Sequence, residues 1–278
     1  MIRKNKIIEF VFIPLMLLIT ISVFGQDKTI FKTDYNISYY PETPKDSYTK
    51  SRCKLDIRYP ENIKDFTTVI WFHGGGLKTN NKFFPQPLIN TNLCIVSVNY
   101  RLSPKVKSPS YIEDAAAAIA WVFNNIKKYG GDPNKIFISG HSAGGYLALM
   151  VGLDKHWLNQ FSIDADNIAG IISLSGQTIT HSTIREEKGI AWNKVIVDKY
   201  APLNHVRKNT PPLILITGDR NIDIPGRYEE NLYLKRLMEI AGNPNVELFE
   251  IQGFAHVEMR KYGIGLMVKK INRIEQKK

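Results

Sequence analysis

The sequence has few of the residues that build metal centres and disulfide frameworks. Only 2 of its 278 residues are cysteines, Cys53 and Cys94. No group of cysteine and histidine residues shows metal-ligand spacing, so we expect no bound metal ion. Both cysteines lie in strand-like runs, and Cys94 is expected to be a buried thiol. A disulfide between them remains an alternative if the protein is exported, although nothing in their spacing argues for it.

The chain also shows no concentration of basic and aromatic side chains on one element. Its formal net charge is +11, but the lysines are scattered along the sequence. A nucleic-acid-binding protein gathers such side chains on one surface, so we expect no nucleic-acid partner. No internal repeat and no low-complexity tract are present, and the length suffices for one large domain with a buried core.

The one long apolar run stands at the N-terminus. Three basic residues precede it, it covers residues 10–24, and Gly25 offers a small residue at a plausible cleavage point. The run is short for a spanning helix and contains Pro14, which favours a cleaved signal over a retained membrane anchor. We predict a signal peptide at residues 1–25, export to the periplasm or the medium, and no stable membrane insertion after cleavage.

Beyond this segment, apolar strand-like runs alternate with helix-like segments. The alternation predicts one α/β domain at residues 26–278, with a mostly parallel central sheet and helices on both faces. Ligands of such sheets bind at the carboxyl ends of the strands. The strands are predicted at residues 32–40, 53–59, 67–72, 94–100, 135–139, 168–174, 213–217 and 246–251, and the main helices at residues 110–129, directly after Ser142 and at 228–241.

Residues 176–209 are irregular and separate two of the predicted core strands. We predict that they form a lid-like insertion over the pocket. Gln177 and Trp192 in this segment, and Trp157 before it, are candidate substrate contacts, since an indole ring can stack on an aromatic or sugar ring. Core packing or loop anchoring is the more common role of tryptophan, and it remains the alternative for both Trp157 and Trp192.

The pentapeptide GHSAG at residues 140–144 lies between a predicted strand and a predicted helix. A G-x-S-x-G motif in that setting holds its serine on a sharp turn, with the hydroxyl exposed at the edge of the sheet. Glycines on either side allow the strand and the helix to pass closely. The motif therefore predicts Ser142 as a nucleophile; the alternative is a structural turn.

A second motif, His73 followed by three glycines, comes directly after an apolar strand. Three successive glycines cost chain entropy, so a folded protein needs a reason to order them. Their backbone N–H groups can turn inward to meet an oxyanion, and we predict a hole built by Gly74, Gly75 and Ala143. His73 is expected to order this loop and is a candidate substrate contact, not a proton-transfer group.

The base and the acid are expected on loops after the last two strands. His256 follows the final strand and can act as general base and then protonate a leaving alcohol. Asp219 and Asp223 follow the strand at 213–217. We favour Asp223 as the acid, because Asp219 directly after the strand is better placed to brace the turn. Asn221 lies between them and would orient the ring without stabilising an imidazolium.

Several ordered motifs resemble the α/β-hydrolase esterases of the hormone-sensitive-lipase-like group. They are HGGG at 73–76, NYRLSP at 99–104, ED at 113–114, GDP at 131–133 and GHSAGG at 140–145. Within that group the chain is most similar to secreted bacterial carboxylesterases, including bifunctional feruloyl and acetylxylan esterases, on GRYEEN at 226–231 and GFAH at 253–256.

The resemblance implies an α/β-hydrolase fold, a Ser/His/acid triad and release of acyl groups from carbohydrate-linked or small esters. The chain departs from the family in two respects. Asn221 occupies the usual acid position, and only a short segment precedes the first strand, so no separate N-terminal cap domain is expected. We predict a secreted, cofactor-free serine carboxylesterase acting on acetyl or feruloyl esters of small molecules or oligosaccharides. A serine peptidase or amidase and a non-catalytic sugar-binding relative remain alternatives, and the oligomeric state is open.

Overall fold

The strands build one eight-stranded sheet within the residues that the computed structural model describes, which are 29–40, 42 and 46–277. The segment predicted as a signal peptide, residues 1–25, lies outside these described residues. The sheet order is β1-β2-β4-β3-β5-β6-β7-β8. The strands are β1 (Phe31–Ser38), β2 (Lys54–Pro60), β3 (Phe66–Phe72), β4 (Cys94–Val98), β5 (Gly131–His141), β6 (Gly170–Leu174), β7 (Leu213–Gly218) and β8 (Val246–Ile251).

Strands β3 to β8 run parallel to one another, whereas β2 is antiparallel to both β1 and β4. The prediction of a mostly parallel sheet is confirmed. Strands β4, β6 and β7 are buried along their whole length. Their near-continuous apolar sequences are typical of parallel strands that helices cover on both sides. The alternating β8 lies at the edge of the sheet.

Helices cover both faces, as predicted. They are α1 (Ser47–Arg52), α2 (Gln86–Ile89), α3 (Ser110–Asn125), α4 (Ala143–Leu153), α5 (His156–Asn159), α6 (Ser182–Glu187), α7 (Arg227–Ile240) and α8 (Met259–Glu275). Successive residues of a strand point to opposite faces. In β3, Ile70 and Phe72 therefore join the core under α3, α4 and α7, while Val69 and Trp71 join the core under α8. Among the described residues, no helix has the length and apolar character needed to cross a membrane.

Helix α8 is an element that the sequence analysis did not predict. Its buried side chains, such as Ile264 and Ile271, recur at helical spacing and cover the second face of the sheet. Two glycines at 263 and 265 obscure this pattern, because glycine is a poor helix former. Glycine suits position 263, because a Cβ there would lie only 3.2 Å from Leu174 Cδ2 and would crowd the contact between α8 and the sheet.

Other boundaries differ by a few residues from the predicted ones. Strand β5 begins at Gly131, four residues before its predicted start at 135. The helix predicted at 110–129 ends as an α-helix at Asn125 and continues as a 3₁₀ turn, Ile126–Tyr129. The turn stops at Gly130, whose φ of 92° lies in the left-handed region that favours glycine.

Cys53 and Cys94 are both buried and unpaired, so no disulfide joins them. Burial raises the pKa of each thiol to about 12. Neither thiol is therefore activated as a thiolate near neutral pH. No group of three or more His, Cys, Asp or Glu side chains that could hold a metal ion is found in the described part of the chain.

A buried ion pair fixes the loop that follows β4. The fully buried Asp114 carboxylate of α3 accepts hydrogen bonds from Arg101 N–H at 2.8 Å, from Arg101 Nη2 at 2.7 Å and from Tyr40 Oη at 2.6 Å. Beside this pair, the Tyr100 ring stacks on His73, and the Tyr100 hydroxyl donates to His73 O at 2.7 Å. The NYR and ED motifs thus hold the start of the glycine loop.

We expect Asp114→Asn to lower the free energy of unfolding by about 3 kcal/mol, because it leaves the Arg101 charge without its buried partner. Urea denaturation measures the loss. The matched control is Glu239→Gln on α7, which breaks a more exposed pair with Lys235 and should cost less than about 1 kcal/mol. Equal losses in the two variants would contradict this account of the loop.

Candidate active site

The turn between β5 and α4 holds Ser142 in a backbone conformation that residues with side chains rarely adopt. Its φ is 56° and its ψ is −118°, the strained geometry of a strand-to-helix elbow. Only glycine fits around it: a Cβ on Gly144 would lie 2.0 Å from Phe72 O, and one on Gly140 would lie 2.6 Å from the same oxygen. Ser142 N–H donates to Leu174 O at 2.8 Å, which anchors the turn to β6.

A line of hydrogen bonds runs from Ser142 through His256 to Asp223. His256 Nε2 lies 2.9 Å from Ser142 Oγ, and His256 Nδ1 lies 2.8 Å from Asp223 Oδ1. The three residues come from loops after β5, β8 and β7. They meet because the carboxyl ends of parallel strands share one edge of the sheet. The arrangement has the geometry of a nucleophile, a base and an acid that orients the base.

The Asp223 carboxylate is held by several donors besides the His256 ring. Gly218 N–H and Ser175 Oγ donate to Oδ2 at 2.9 and 2.8 Å, and Ile224 N–H donates to Oδ1 at 2.6 Å. Burial by itself raises the pKa of Asp223, but the hydrogen bonds, that from His256 first, outweigh it and lower the pKa to about 2. The carboxylate is therefore ionised at neutral pH.

Asp219, the alternative acid, is engaged elsewhere. Its two carboxylate oxygens accept hydrogen bonds from Asn221 N–H at 2.9 Å and Gly253 N–H at 2.8 Å, and its own N–H donates to Phe254 O at 3.0 Å. It thus ties the loop after β7 to the loop after β8. A turn closed by Asp223 N–H on Asp219 O, at 2.8 Å, brings Asp223 back over the end of β7. Asn221 is exposed on the outside of that turn.

The sequence analysis missed Ser175, which directly follows β6. Its φ of 47° is another left-handed value for a residue with a side chain. Its hydroxyl donates to Asp223 Oδ2 and lies 3.0 Å from His256 Nδ1, so it touches both partners of the acid–base pair. The one signal in the sequence is its place at the end of a core strand, which by itself does not single out a serine.

His141 also has a contact that its place in the motif did not reveal. Its Nε2–H donates to the backbone O of His256 at 2.7 Å, and the two rings lie 4.7 Å apart. Burial, together with the nearby His256 charge, lowers the pKa of His141 to about 3. The ring is therefore neutral, and it fixes the backbone that carries the base.

The glycine loop lies against the elbow. A Cβ on Gly74 would lie 3.3 Å from Ser142 Cβ, and Ala143 is the first residue of α4. Gly75 has a φ of 110°, and a Cβ there would come within 2.4 Å of Thr79 O, so this position requires glycine. Among the described residues, the N–H groups of Gly74, Gly75 and Ala143 have no protein acceptor. Gly74 and Ala143, two of the three residues with candidate donors, thus lie directly beside Ser142.

His73, a predicted substrate contact, lies in the interior of the protein. Its side chain is completely buried. Its Nδ1–H donates to Gly74 O at 2.7 Å, and its Nε2 lies 3.2 Å from Arg52 Nη2. Both ring nitrogens are therefore used inside the protein. The expectation that His73 orders the loop agrees with these contacts.

Trp157 also lies away from the elbow. It follows α4, and the eleven residues of that helix carry the chain about 15 Å from Ser142. Its ring packs in the core and is 6% exposed. These observations agree with core packing, the alternative left open above, and substrate contact by Trp157 stays a prediction.

Gln177 and Trp192 line one cavity in the segment predicted as a lid. The cavity has a volume of about 720 Å³ and is also lined by Ile224 and Pro225, which directly follow Asp223. Trp192 is 80% exposed, so its ring is free to stack. Gln177 Oε1 accepts a hydrogen bond from Ser182 N–H at 2.9 Å. The two residues thus stand beside the acid loop.

Curated proteins similar to the chain are esterases and lipases. The chain is 26% identical to Esterase LipC of Mycobacterium tuberculosis over 204 residues, which cover 67% of this chain and 50% of that protein. It is 32% identical to Lipase 2 of Moraxella sp. over 138 residues, which cover 47% of this chain and 29% of that protein. The chain thus spans half or less of the length of these relatives.

Solved structures share the fold. A truncated carbohydrate esterase from gut microbiota superposes with a TM-score of 0.70 at 21% identity, covering 91% of this chain and 99% of that one. Esterase 2 of Thermogutta terrifontis, phosphoramylated by tabun, gives a TM-score of 0.69 at 22% identity, covering 87% and 94%. The expected α/β-hydrolase fold is confirmed.

A family model described as BD-FAE matches residues 55–235. The match runs from β2 into α7 and includes the glycine loop, the elbow and Asp223. It covers more than half of the 278 residues. The chain belongs to the BD-FAE family of α/β-hydrolase esterases.

Proposed function

We propose that the protein is a cofactor-free serine carboxylesterase that is exported and hydrolyses acetyl or feruloyl esters of small molecules or oligosaccharides. The observation that carries the proposal is the hydrogen-bonded line of Ser142, His256 and Asp223 beside three unpaired backbone N–H groups. The names of the relatives support ester hydrolysis, and the carbohydrate esterase among the solved structures supports a carbohydrate-linked ester.

The reaction begins with attack of Ser142 Oγ on the ester carbonyl carbon, while His256 Nε2 takes the serine proton. The carbonyl oxygen becomes an oxyanion that accepts hydrogen bonds from the N–H groups of Gly74, Gly75 and Ala143, where one such donor is worth about 3 kcal/mol of barrier. The imidazolium gives its proton to the leaving alcohol as the C–O bond breaks. Water then attacks the acyl-enzyme with His256 again as base, which releases the acid and frees Ser142.

Asp223 has two tasks in this scheme. Its carboxylate holds the His256 ring with Nε2 facing Ser142, and its negative charge stabilises the imidazolium. The low pKa of Asp223 supports these tasks, because the group stays ionised when His256 becomes charged. The non-catalytic alternative rested on loss of the acid, and the 2.8 Å contact between Asp223 and His256 argues against it.

The lid segment at 176–209 is proposed to bind the part of the substrate beyond the ester. Trp192 offers an exposed ring, and Gln177 a polar group, at the cavity beside the acid loop. A sugar or aromatic ring fits a surface of this kind. A serine peptidase or amidase would use the same triad, so relative turnover of an acetyl ester and an aminoacyl amide distinguishes the two activities.

We expect burst kinetics with p-nitrophenyl acetate, because an acyl-enzyme forms faster than water releases it. Ser142→Ala should abolish both the burst and the steady-state release of nitrophenol. Stopped-flow absorbance measures both phases, and circular dichroism verifies that the variant folds. Full activity in Ser142→Ala would refute the mechanism.

Asp223→Asn should lower kcat by roughly 10⁴-fold, because an amide does not stabilise the imidazolium and favours the wrong ring tautomer. The matched control is Asp219→Asn, which changes the same atoms four residues earlier in a loop-bracing contact. It should lower kcat by less than about tenfold. Steady-state hydrolysis of p-nitrophenyl acetate compares the two, and a larger loss in Asp219→Asn would assign the acid to that residue.

Export should remove the first 25 residues, so the mature protein is expected to begin at Gln26. Intact-mass measurement on protein from the periplasm or the medium tests this. Leu17→Arg places a charge in the apolar run and should keep the precursor in the cell. A full-length chain recovered in the membrane fraction would support the anchor alternative.

A further inference from the structure

His181, in the segment predicted as a lid, has an unused hydrogen-bond donor. The ring is 4% exposed and caps α6, where its Nδ1 accepts a hydrogen bond from Thr183 N–H at 3.2 Å. A backbone N–H can only donate, so Nδ1 carries no proton and the neutral ring bears its proton on Nε2. Among the described residues, Nε2 has no partner, and it is not one of their fully buried unpaired side-chain atoms.

His181 packs against the helix that follows the candidate nucleophile. Its ring centroid lies 4.9 Å from that of Tyr146, and Tyr146 N–H donates to Ser142 O at 2.9 Å, one helical turn into α4. Thr183 Oγ1 donates to Gly76 O of the glycine loop. The segment that carries His181 therefore contacts both the first turn of α4 and the loop proposed to bind the oxyanion.

The His181 ring is neutral near neutral pH. Burial, with the positive charges of Arg227, Arg185 and Lys78, lowers the pKa of His181 to about 3. The Tyr146 hydroxyl is already committed, because it donates to Tyr200 O at 2.8 Å. His181 Nε2–H is thus a neutral donor with no acceptor among the described residues.

We propose that His181 Nε2–H binds an acceptor oxygen of the substrate, a hydroxyl or ether oxygen outside the reacting ester, and thereby selects oxygen-bearing esters. The inference rests on the proposed esterase function and adds a specificity residue to it. A donor that the bound substrate shields from water and leaves without an acceptor disfavours an apolar substrate more than an oxygen-bearing one. The oxygen can belong to an aromatic acyl group or to a sugar alcohol, and both supply the same hydrogen-bond chemistry.

Two matched substrate pairs separate these sources. Methyl ferulate and methyl cinnamate differ in ring oxygens on the acyl side, and acetylated xylo-oligosaccharide and p-nitrophenyl acetate differ in hydroxyls on the alcohol side. The readout is the ratio of kcat/KM within a pair, so a general loss of activity cancels. His181→Asn keeps an N-cap acceptor for Thr183 and removes the ring donor, and His181→Phe keeps the ring and removes both.

We expect both variants to lower one of the two ratios by about tenfold, the value of one hydrogen bond. The pair that changes identifies the side on which the oxygen lies. His156→Asn, which alters an exposed histidine of α5, is the control and should leave both ratios unchanged.

Three results would overturn the inference. Unchanged ratios in both His181 variants would show that the donor meets no substrate. A normal ratio in His181→Asn with a lowered one in His181→Phe would reduce the residue to a helix cap. Failure of the unaltered protein to hydrolyse any ester would contradict the proposed function itself, and this inference with it.

Discussion

The close approach of α4 to the end of β3 is the constraint on which the site depends. Gly144 lies so near Phe72 O that no side chain can occupy its position. This contact forces the chain to turn within one residue, and Ser142 takes the strained φ that such a turn requires. Gly74 also lies against Ser142, where a Cβ on Gly74 would come within 3.3 Å of Ser142 Cβ.

Around this elbow, hydrogen bonds fix the other partners from several sides. Asp223 is held by backbone N–H groups and by Ser175, and the His256 backbone is held by His141. The contacts of Ser175 and His141 tie these partners to the ends of β6 and β5. Preorganisation of this kind keeps the imidazole in place without the cost of ordering it during a reaction. A neutral His141 fits that task, because a charge there would repel the imidazolium.

The segment between β6 and β7 is bound into this arrangement. Two contacts connect α6 to the glycine loop and the residues after it. Thr183 Oγ1 donates to Gly76 O, and Glu186 forms an ion pair with Lys78. Thr180, His181 and other polar residues of the segment are buried, so they are packed parts of the domain. A substrate group beside Ser142 would therefore meet fixed side chains, and selectivity would follow from their donors and shapes.

Much of the fold could be predicted from the sequence, because local patterns encode it. Continuous apolar runs predicted strands β4 and β7, and the two glycine motifs predicted the ends of the strands that precede them. Helix α8 was missed, since its apolar spacing is interrupted by two glycines, and the packing role of one of them, Gly263, appears only against the sheet. His256 was predicted as the base because it follows the final strand, and its Nε2 lies 2.9 Å from Ser142 Oγ.

Long-range contacts decided the rest. The sequence by itself determined the sheet, the elbow and the residue types at the strand ends, because each follows from neighbouring residues. Only the tertiary structure decided that a turn closed on Asp219 carries Asp223 to the imidazole, that His73 and Trp157 face inward, and that Ser175 and His141 contact His256. These outcomes depend on contacts between distant loops, and such contacts leave no periodic signal in the chain.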